Sequence, residues 1–501
     1  MHRKKARGFR ITRITKKFDA QRRRYTFNIQ FETTVTPTER TIAVAEAFGL
    51  GVDEEKLFTV YDHFVLEFGP GDVVYIVGDS GSGKSVLMRE LRRALDGEAV
   101  DMNEVDAEVD PDVPIVETVG GSVGEAVRLL SSVGLGDAFT LLRPYKQLSD
   151  GQKYRYRLAK LLESNSEYWM CDEFCSLLDR DTARVVAYNV QKLARRLGKC
   201  LVVATCHRDL LEDLNPSVYV EKGLGSDVKV HYRENKPTEK CSLLKEIRIE
   251  PGEFSDFMKL SRFHYRGAKR FPTLRVYRAV RKGAVVGVIV YSPPPIQCWG
   301  RRHAFRRSPT LKELNEHFAN ISRVVVHPKY RMIGLGVKLV RETLPLVGRA
   351  YVETSAVMAR YNPFFEKAGM KRVAVKEPNP DLTKAIQKLE ELGFHRALMA
   401  SKAYNRRMLK ELEARGLLGE VRDALRVVRN IPIFRTLVRA TYPRVRDWCE
   451  ALDEATVEEL AKVLAKVAST IQVKVYLLWR NPALECPMDE LLKVKFQGEA
   501  D

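Results

Sequence analysis

The chain has 501 residues, 45% of them hydrophobic and 30% charged, with a formal net charge of +19. That length supplies two or three cores, while the longest apolar runs, such as Ala284 to Tyr291, fall far short of the roughly 18 residues a membrane-spanning helix needs. Eight cysteines without a CxxC pair argue against a disulfide framework or a zinc site, and no apolar segment follows the basic N-terminus to make a secretory signal, so a cytoplasmic protein is expected.

Charge is unevenly distributed. Met1 to Gln30 holds eleven Lys/Arg against one Asp, and Ser261 to Arg307 holds twelve Lys/Arg and no acidic residue. Residues 1–39 therefore read as a basic extension, either a solubilising tail or a grip for a polyanion.

In chain order, Gly78-Asp79-Ser80-Gly81-Ser82-Gly83-Lys84-Ser85 comes next and fits GxxxxGK(S/T). In such a loop glycines let backbone N–H groups wrap phosphates, the lysine reaches the outer phosphates and the hydroxyl can ligate Mg2+. Leu148-Ser149-Asp150-Gly151-Gln152, in which Ser149 is separated from Ser85 by 63 residues, opens a helical pattern. Tyr168 to Cys171 is a buried strand ending in Asp172 and Glu173; Leu177-Leu178-Asp179 follow, and Leu201 to Cys206 is a second buried strand with His207 at its end. Singly, each string has a bland reading, since Ser149 and Asp150 are ordinary helix-cap residues and carboxylates often end solvated strands.

In this order the strings resemble the ATP-binding-cassette (ABC) ATPases over residues 40–235. The resemblance implies a P-loop NTPase domain that holds ATP through Gly78 to Ser85. Ser149, Gly151, Gln152 and Asp179 would act across a head-to-tail homodimer. Ser85 and Asp172 are the implied Mg2+ ligands, Lys84 and His207 the implied contacts to the outer phosphates, and Glu173 the group that polarises the attacking water. Two departures separate the chain from transporter members. The 63-residue gap is too short for the full arm that meets a membrane partner, and the glutamine that senses Mg2+ is missing, with Glu117 the nearest candidate. Phe48 and Phe58 are the candidates for stacking on adenine.

A boundary lies near Arg233 to Thr238. Leu274 to Val280 and Ala284 to Tyr291 read as a hairpin over Arg281-Lys282-Gly283. The strand Ile321 to Pro328 then leads through Lys329-Tyr330-Arg331-Met332-Ile333-Gly334-Leu335-Gly336 into a helical pattern. Strand, glycine loop and helix make a second phosphate cradle. This string resembles the (R/Q)xxGx(G/A) acetyl-CoA motif that follows the fourth strand of GNAT-superfamily N-acetyltransferases. Ala350 to Thr354 and Tyr361 to Met370 are similar to that family's fifth strand and following helix, the whole covering residues 245–375. An α+β domain is implied, binding acetyl-CoA through Val324, Val326, Arg331, Met332, Ile333, Gly334, Leu335 and Gly336. Phe365 stands where many members place the tyrosine that protonates the departing thiolate. Tyr361, four residues earlier, is the substitute acid, and His327 and Glu353 are candidate bases. The basic stretch 261–307, interleaved with Phe263, His264, Tyr265, Tyr277 and Trp299, then borders the acceptor cleft and suits phosphate contacts with base stacking.

Residues 376–501 read as mostly helical, with Leu382 to Leu392, Ala403 to Arg415, Gly419 to Arg429 and Thr456 to Ile471 carrying apolar residues at helical spacing. Leu389, Leu392, Leu409, Leu412, Leu460 and Leu464 are the core candidates. The expectation is an α/β multidomain chain that uses ATP, Mg2+ and acetyl-CoA. It is a non-transporter, archaeal-like, soluble ATPase acting as a homodimer, coupled to acetyl transfer onto an amine of a nucleic acid, RNA favoured, or of a nucleic-acid-bound protein. The alternatives are a nucleic-acid-binding ATPase whose GNAT-like domain only binds ligand, and the motor subunit of a transporter.

Overall fold

The computed structural model describes residues 10–19, 23–32, 37–50, 57–95, 97–105, 110–264, 270–357, 359, 362–429, 431, 437, 444–494 and 496. It divides into two compact units, Met1–Tyr291 with Ser322–Thr343 and Ser292–Ile321 with Leu344–Asp501, so the stretch 245–375 is shared between them.

In the first unit, β1 (Arg10–Asp19), β2 (Arg24–Glu32) and β3 (Leu57–Glu67) form an antiparallel sheet in that order. Tyr25, Phe27 and Ile29 alternate along β2 and are almost fully buried, as a strand's period of two requires. They pack with Val74, Ile76, Leu87 and Leu91. Residues 10–19 and 23–32 of the basic segment are therefore folded structure and not a tail, and two of their charges are engaged, Lys16 by Glu90 at 3.6 Å and Arg24 by Glu67 at 3.5 Å. Dense positive charge had masked the apolar alternation. Residues 1–9 lie outside the described residues.

The next sheet contains β4 (Val73–Gly78), β5 (Ala99–Asp101), β6 (Tyr168–Cys171), β7 (Cys200–Thr205), β8 (Val218–Lys222) and β9 (Val228–Tyr232) in the order β5-β6-β7-β4-β8-β9. All neighbours are parallel except β9, which runs antiparallel to β8. β4, β6 and β7 are buried from end to end, the pattern of a parallel sheet covered on both faces. Alternate residues of β4 serve different cores. Val74 and Ile76 meet the helix Lys84–Ala94, while Val73, Tyr75 and Val77 share a core with the helices Asp150–Glu163 and Arg180–Arg196.

A second mixed sheet has the order β10 (Arg248–Pro251), β11 (Arg275–Arg281), β12 (Ala284–Ser292), β13 (Phe318–Val326), β14 (Tyr351–Ala356), β16 (Lys474–Arg480), β15 (Lys371–Lys376). The β11–β12 hairpin closes on Lys282 and Gly283, both at positive φ, as a two-residue turn demands. β13 is parallel to β14 over Phe318 to Asn320, and its residues from Ser322 onward count with the first unit.

In the second unit, helices Pro380–Glu391, Lys402–Ala414, Leu418–Arg426, Val445–Glu454 and Val457–Thr470 enclose one core. It contains Leu389, Leu409, Leu412, Trp448, Leu460 and Leu464, with Leu392 packed at its edge. The helical reading of residues 376–501 needs one correction. β16 returns after the last of these helices and runs antiparallel between β14 and β15, so the helices are an excursion between two strands of one sheet. A chain ending at Ile471 would leave β14 and β15 without their shared neighbour, and we expect it to be insoluble. Soluble expression with native circular dichroism would contradict this placement. Among the described residues, no helix is long and apolar enough to cross a membrane.

Candidate ATPase site and second glycine loop

Parallel pairing aligns the carboxyl ends of β4, β6 and β7, with Val77 opposite Thr205 and Cys171 opposite Val203. The residues that follow these strands, Gly78 to Ser85, Asp172 with Glu173, and His207, therefore share one edge of the sheet, where ligands of open parallel sheets bind. The loop is shaped for close approach. A Cβ at Gly83 would lie 2.4 Å from Val60, one at Gly78 would lie 2.3 Å from the Lys222 carbonyl, and Gly83 has φ +103°. Only glycine fits either place. Lys84 is 5% exposed and its Nζ donates to the carbonyls of Gly78 and Asp79, each at 2.8 Å. The Ser82 hydroxyl is buried and has no hydrogen-bond partner among the described residues, an orphan that a phosphate oxygen would satisfy. Ser85 stands exposed in the first turn of the helix Lys84–Ala94, whose N-terminal dipole favours an anion. These features fit a polyphosphate with its Mg2+.

Asp172 accepts from the Glu173 N–H at 2.9 Å, and Glu173 is exposed with φ +52°. The backbone of His207 is held at both ends, its N–H by the Thr205 hydroxyl at 3.3 Å and its carbonyl by the Tyr75 hydroxyl. Gln152 accepts from the Ser149 N–H at 3.0 Å where the helix Asp150–Glu163 begins, and the Gly151 carbonyl accepts from Arg155 at 3.1 Å. In the same helix, the Tyr154 hydroxyl accepts from the Cys175 N–H at 2.7 Å, tying the helix to the loop behind Glu173. Asp179 caps the helix Arg180–Arg196 by accepting from the Thr182 hydroxyl at 2.6 Å and its N–H at 3.2 Å.

One residue escaped the sequence reading. β5 lies beside β6 and ends at Asp101, in register with Met170. Burial, together with the charges of Glu104 and Asp172, raises the Asp101 carboxyl above its usual range despite the N–H of Asn103. Glu117, the earlier candidate, sits exposed on the short turn Ile115–Glu117. A carboxylate ending a short apolar run just after the first helix was the available signal. Phe48 and Phe58 are both exposed, at 77% and 43%. The buried Tyr61 touches the loop, its hydroxyl donating to the Gly83 carbonyl at 3.1 Å.

Around the second glycine loop, Val324 and Val326 are half-buried on one face of β13, while Val325 enters the core on the other. Met332 and Gly334 have positive φ, Ile333 and Leu335 are buried, and Gly336 lies in the first turn of the helix Leu335–Thr343. The Arg331 side chain differs from expectation. Its three nitrogens donate to the carbonyls of Val326, Gly136 and Phe263, so it anchors the loop. His327 is half-buried and its Nδ1 accepts from the Lys329 N–H at 3.3 Å. Burial, with the charges of Lys329, Arg262 and Arg331, pushes its pKa down and keeps the ring neutral at pH 7.

Glu353 is not a free base. It is 1% exposed, accepts from two of the three Arg301 nitrogens at 2.5 and 3.0 Å, and accepts from the Tyr476 hydroxyl at 2.7 Å. Tyr361 lies outside the described residues, and Phe365 is buried against Phe364. The basic stretch is also less available than composition implied. Arg278 pairs with Glu250 and Asp256, Arg281 with Asp181 and Glu246, Arg301 with Glu353, and Arg307 with Glu313. Tyr277 is buried and Phe263 packs edge-on to His327. The stretch was read as suited to phosphate contacts because the acidic partners of these arginines lie outside it.

The first unit carries a P-loop domain of the ABC type. Residues 61–176 match the ABC transporter family. Among curated proteins, the methionine import ATP-binding protein MetN 2 of Rhodococcus jostii is 28% identical over 298 residues, covering 51% of this chain and 83% of that protein. MetN 1 of Pseudomonas fluorescens is 28% identical over 230 residues, covering 37% and 67%. Among solved structures, a post-hydrolysis dimer of the ATP-binding cassette MJ0796 bound to ADP and Pi aligns over 36% of this chain and 93% of its own, with 19% identity and a TM-score of 0.29.

Proposed function

We propose that this ABC-type ATPase governs an acetyl-CoA-binding domain that transfers acetyl to an amine on a nucleic acid, RNA favoured, or on a protein bound to one. In this reading two copies close head to tail over ATP, with Gly78 to Ser85 of one copy facing Ser149, Gly151, Gln152 and Asp179 of the other. Lys84 and His207 hold the outer phosphates, and Ser85 and Asp172 hold Mg2+, which supplies charge neutralisation at the transferring phosphoryl group. Glu173 orients the water.

The observation that carries the acetyl-CoA reading is the place of the second glycine loop. It follows β13, the fourth strand of its sheet in chain order, and precedes a nine-residue helix and then β14, the fifth, which is the position the resemblance implies. Backbone N–H groups at that helix start favour a pyrophosphate. With Glu353 sealed and Arg331 engaged, the acid–base candidates are His327, neutral and half-buried, and Tyr361. Arg262, Arg270, Arg275, Lys282, Arg302 and Arg306 remain exposed and support an acidic acceptor. Labelled acetyl-CoA incubated with the protein and cell extract tests the reading. Label is expected in a ribonuclease-sensitive polymer, or in protein that co-purifies with one, and it should be lost in Gly334→Val, where φ is +94°. Acetyl-CoA binding without a labelled polymer would leave only a ligand-sensing domain.

A second reading has its own support. The MetN relatives are named as import ATP-binding proteins, and Val123, Phe139 and Leu142 expose apolar side chains in the segment between Ser85 and Ser149. A membrane protein that co-purifies with the chain, and is lost on Phe139→Glu, would favour an import subunit.

A further inference from the structure

Asp179 ends the loop that starts at Glu173, and its other partner comes from far along the chain. Lys329 Nζ lies 2.5 Å from one Asp179 oxygen and 3.6 Å from Asp181. Asp181 is also held by Arg281 at 2.6 Å and by the Tyr330 hydroxyl at 3.1 Å. Arg281, 4% exposed, continues to Glu246 at 2.8 Å, and Glu246 to Arg184 at 3.1 Å. The start of the helix Arg180–Arg196 is thus gripped by β11 and by the turn after β13, neither of which belongs to the six-stranded sheet. Partial burial works against the Asp179 charge, but Lys329 and Thr182 outweigh it and keep the carboxyl below its ordinary range.

The loop between Glu173 and Asp179 needs such a brace. Glu173 and Cys175 are both non-glycine residues at positive φ, +52° and +59°, conformations that persist only where the surroundings hold them. Its anchors include Tyr154 on the Cys175 N–H, the Ala204 carbonyl on the Phe174 N–H, and Thr182 and Lys329 on Asp179.

We propose that Lys329 is a positioning residue for ATP hydrolysis, fixing through Asp179 the loop that presents Glu173. The proposal rests on the assignment of Glu173 and Lys84 to the ATPase site. Because Lys329 touches neither strand β4 nor the glycine loop after it, its loss should spare nucleotide binding by that loop, with Asp179 itself still in place, and reduce turnover. Steady-state ATP hydrolysis by the full-length chain tests this in wild type, Lys329→Ala, Lys329→Arg and Lys84→Ala. We expect Lys329→Ala to lower kcat by about tenfold or more, the scale of a small misplacement of a catalytic group, with KM for ATP and the thermal midpoint unchanged. Lys329→Arg should restore at least half of the lost activity. A Lys329→Ala protein with wild-type kcat, or a Lys329→Arg protein as slow as the alanine variant, would overturn the proposal. Hydrolysis that survives Lys84→Ala would instead overturn the site assignment beneath it.

Discussion

Glu173→Gln is expected to slow ATP hydrolysis by about 100-fold or more, the usual loss when a group acting on the attacking water is removed, while leaving ATP binding intact. Glutamine keeps the size and the exposed position of Glu173 at the end of the β6 strand but cannot accept a proton. The nucleotide-gripping loop, Lys84 with its hydrogen bonds to Gly78 and Asp79, is untouched. If closure over ATP pairs two copies, the variant should accumulate as an ATP-bound dimer, seen by light scattering. A variant that stays monomeric in saturating ATP contradicts the pairing, and one that hydrolyses at the wild-type rate contradicts the role of Glu173.

The largest effect on stability is expected at Arg301. Arg301 and Glu353 are 4% and 1% exposed and bonded through two nitrogens, with Gly300 so close to Tyr476 that a Cβ there would lie 2.0 Å from the ring. Arg301→Met leaves a buried carboxylate with the Tyr476 hydroxyl alone, and removing one partner of a buried pair costs about 3–5 kcal/mol. Urea denaturation followed by fluorescence should show the second unit's transition at a much lower midpoint. Arg301→Met combined with Glu353→Leu should recover most of the loss, because apolar groups of similar volume replace such pairs at little net cost. A single variant as stable as wild type would mean that the pair carries no such weight.

How much of this was legible follows from the range of the interactions. Gly78 to Ser85 and the Lys282-Gly283 turn are local, since glycine spacing and positive φ are properties of a few adjacent residues, and the sequence reading located both. The helices around Leu389, Leu409 and Leu460 were legible because their apolar period repeats within each segment. β16 was not, because Lys474–Arg480 is short and its membership of the sheet depends on neighbours at Tyr351–Ala356 and Lys371–Lys376. β2 was obscured by charge density. The role assigned to Glu353 failed, and four cations of the basic stretch proved to be paired, for a related reason. Arg301 and Glu353 lie 52 positions apart, and the partners of Arg281 are found at Asp181 and Glu246. Asp101 marks the same limit at the ATPase site, where only the pairing of β5 with β6 brings it beside Asp172.

Lys329 ties the loop that ends at Asp179 to the second glycine loop within one unit, since it contacts Asp179 and stands two positions before Arg331. Any change in affinity that ATP imposes on a ligand of the second loop must be returned by that ligand to ATP.

Calorimetric titration of the full-length Glu173→Gln protein with acetyl-CoA, with and without ATP, tests most directly the claim that one chain joins an ATPase to an acetyl-CoA site. Saturable binding that shifts with ATP and vanishes in the same protein carrying Gly334→Val is the predicted result. No binding at acetyl-CoA concentrations up to about 1 mM, a free energy weaker than about 4 kcal/mol, in a protein that still binds ATP would contradict it.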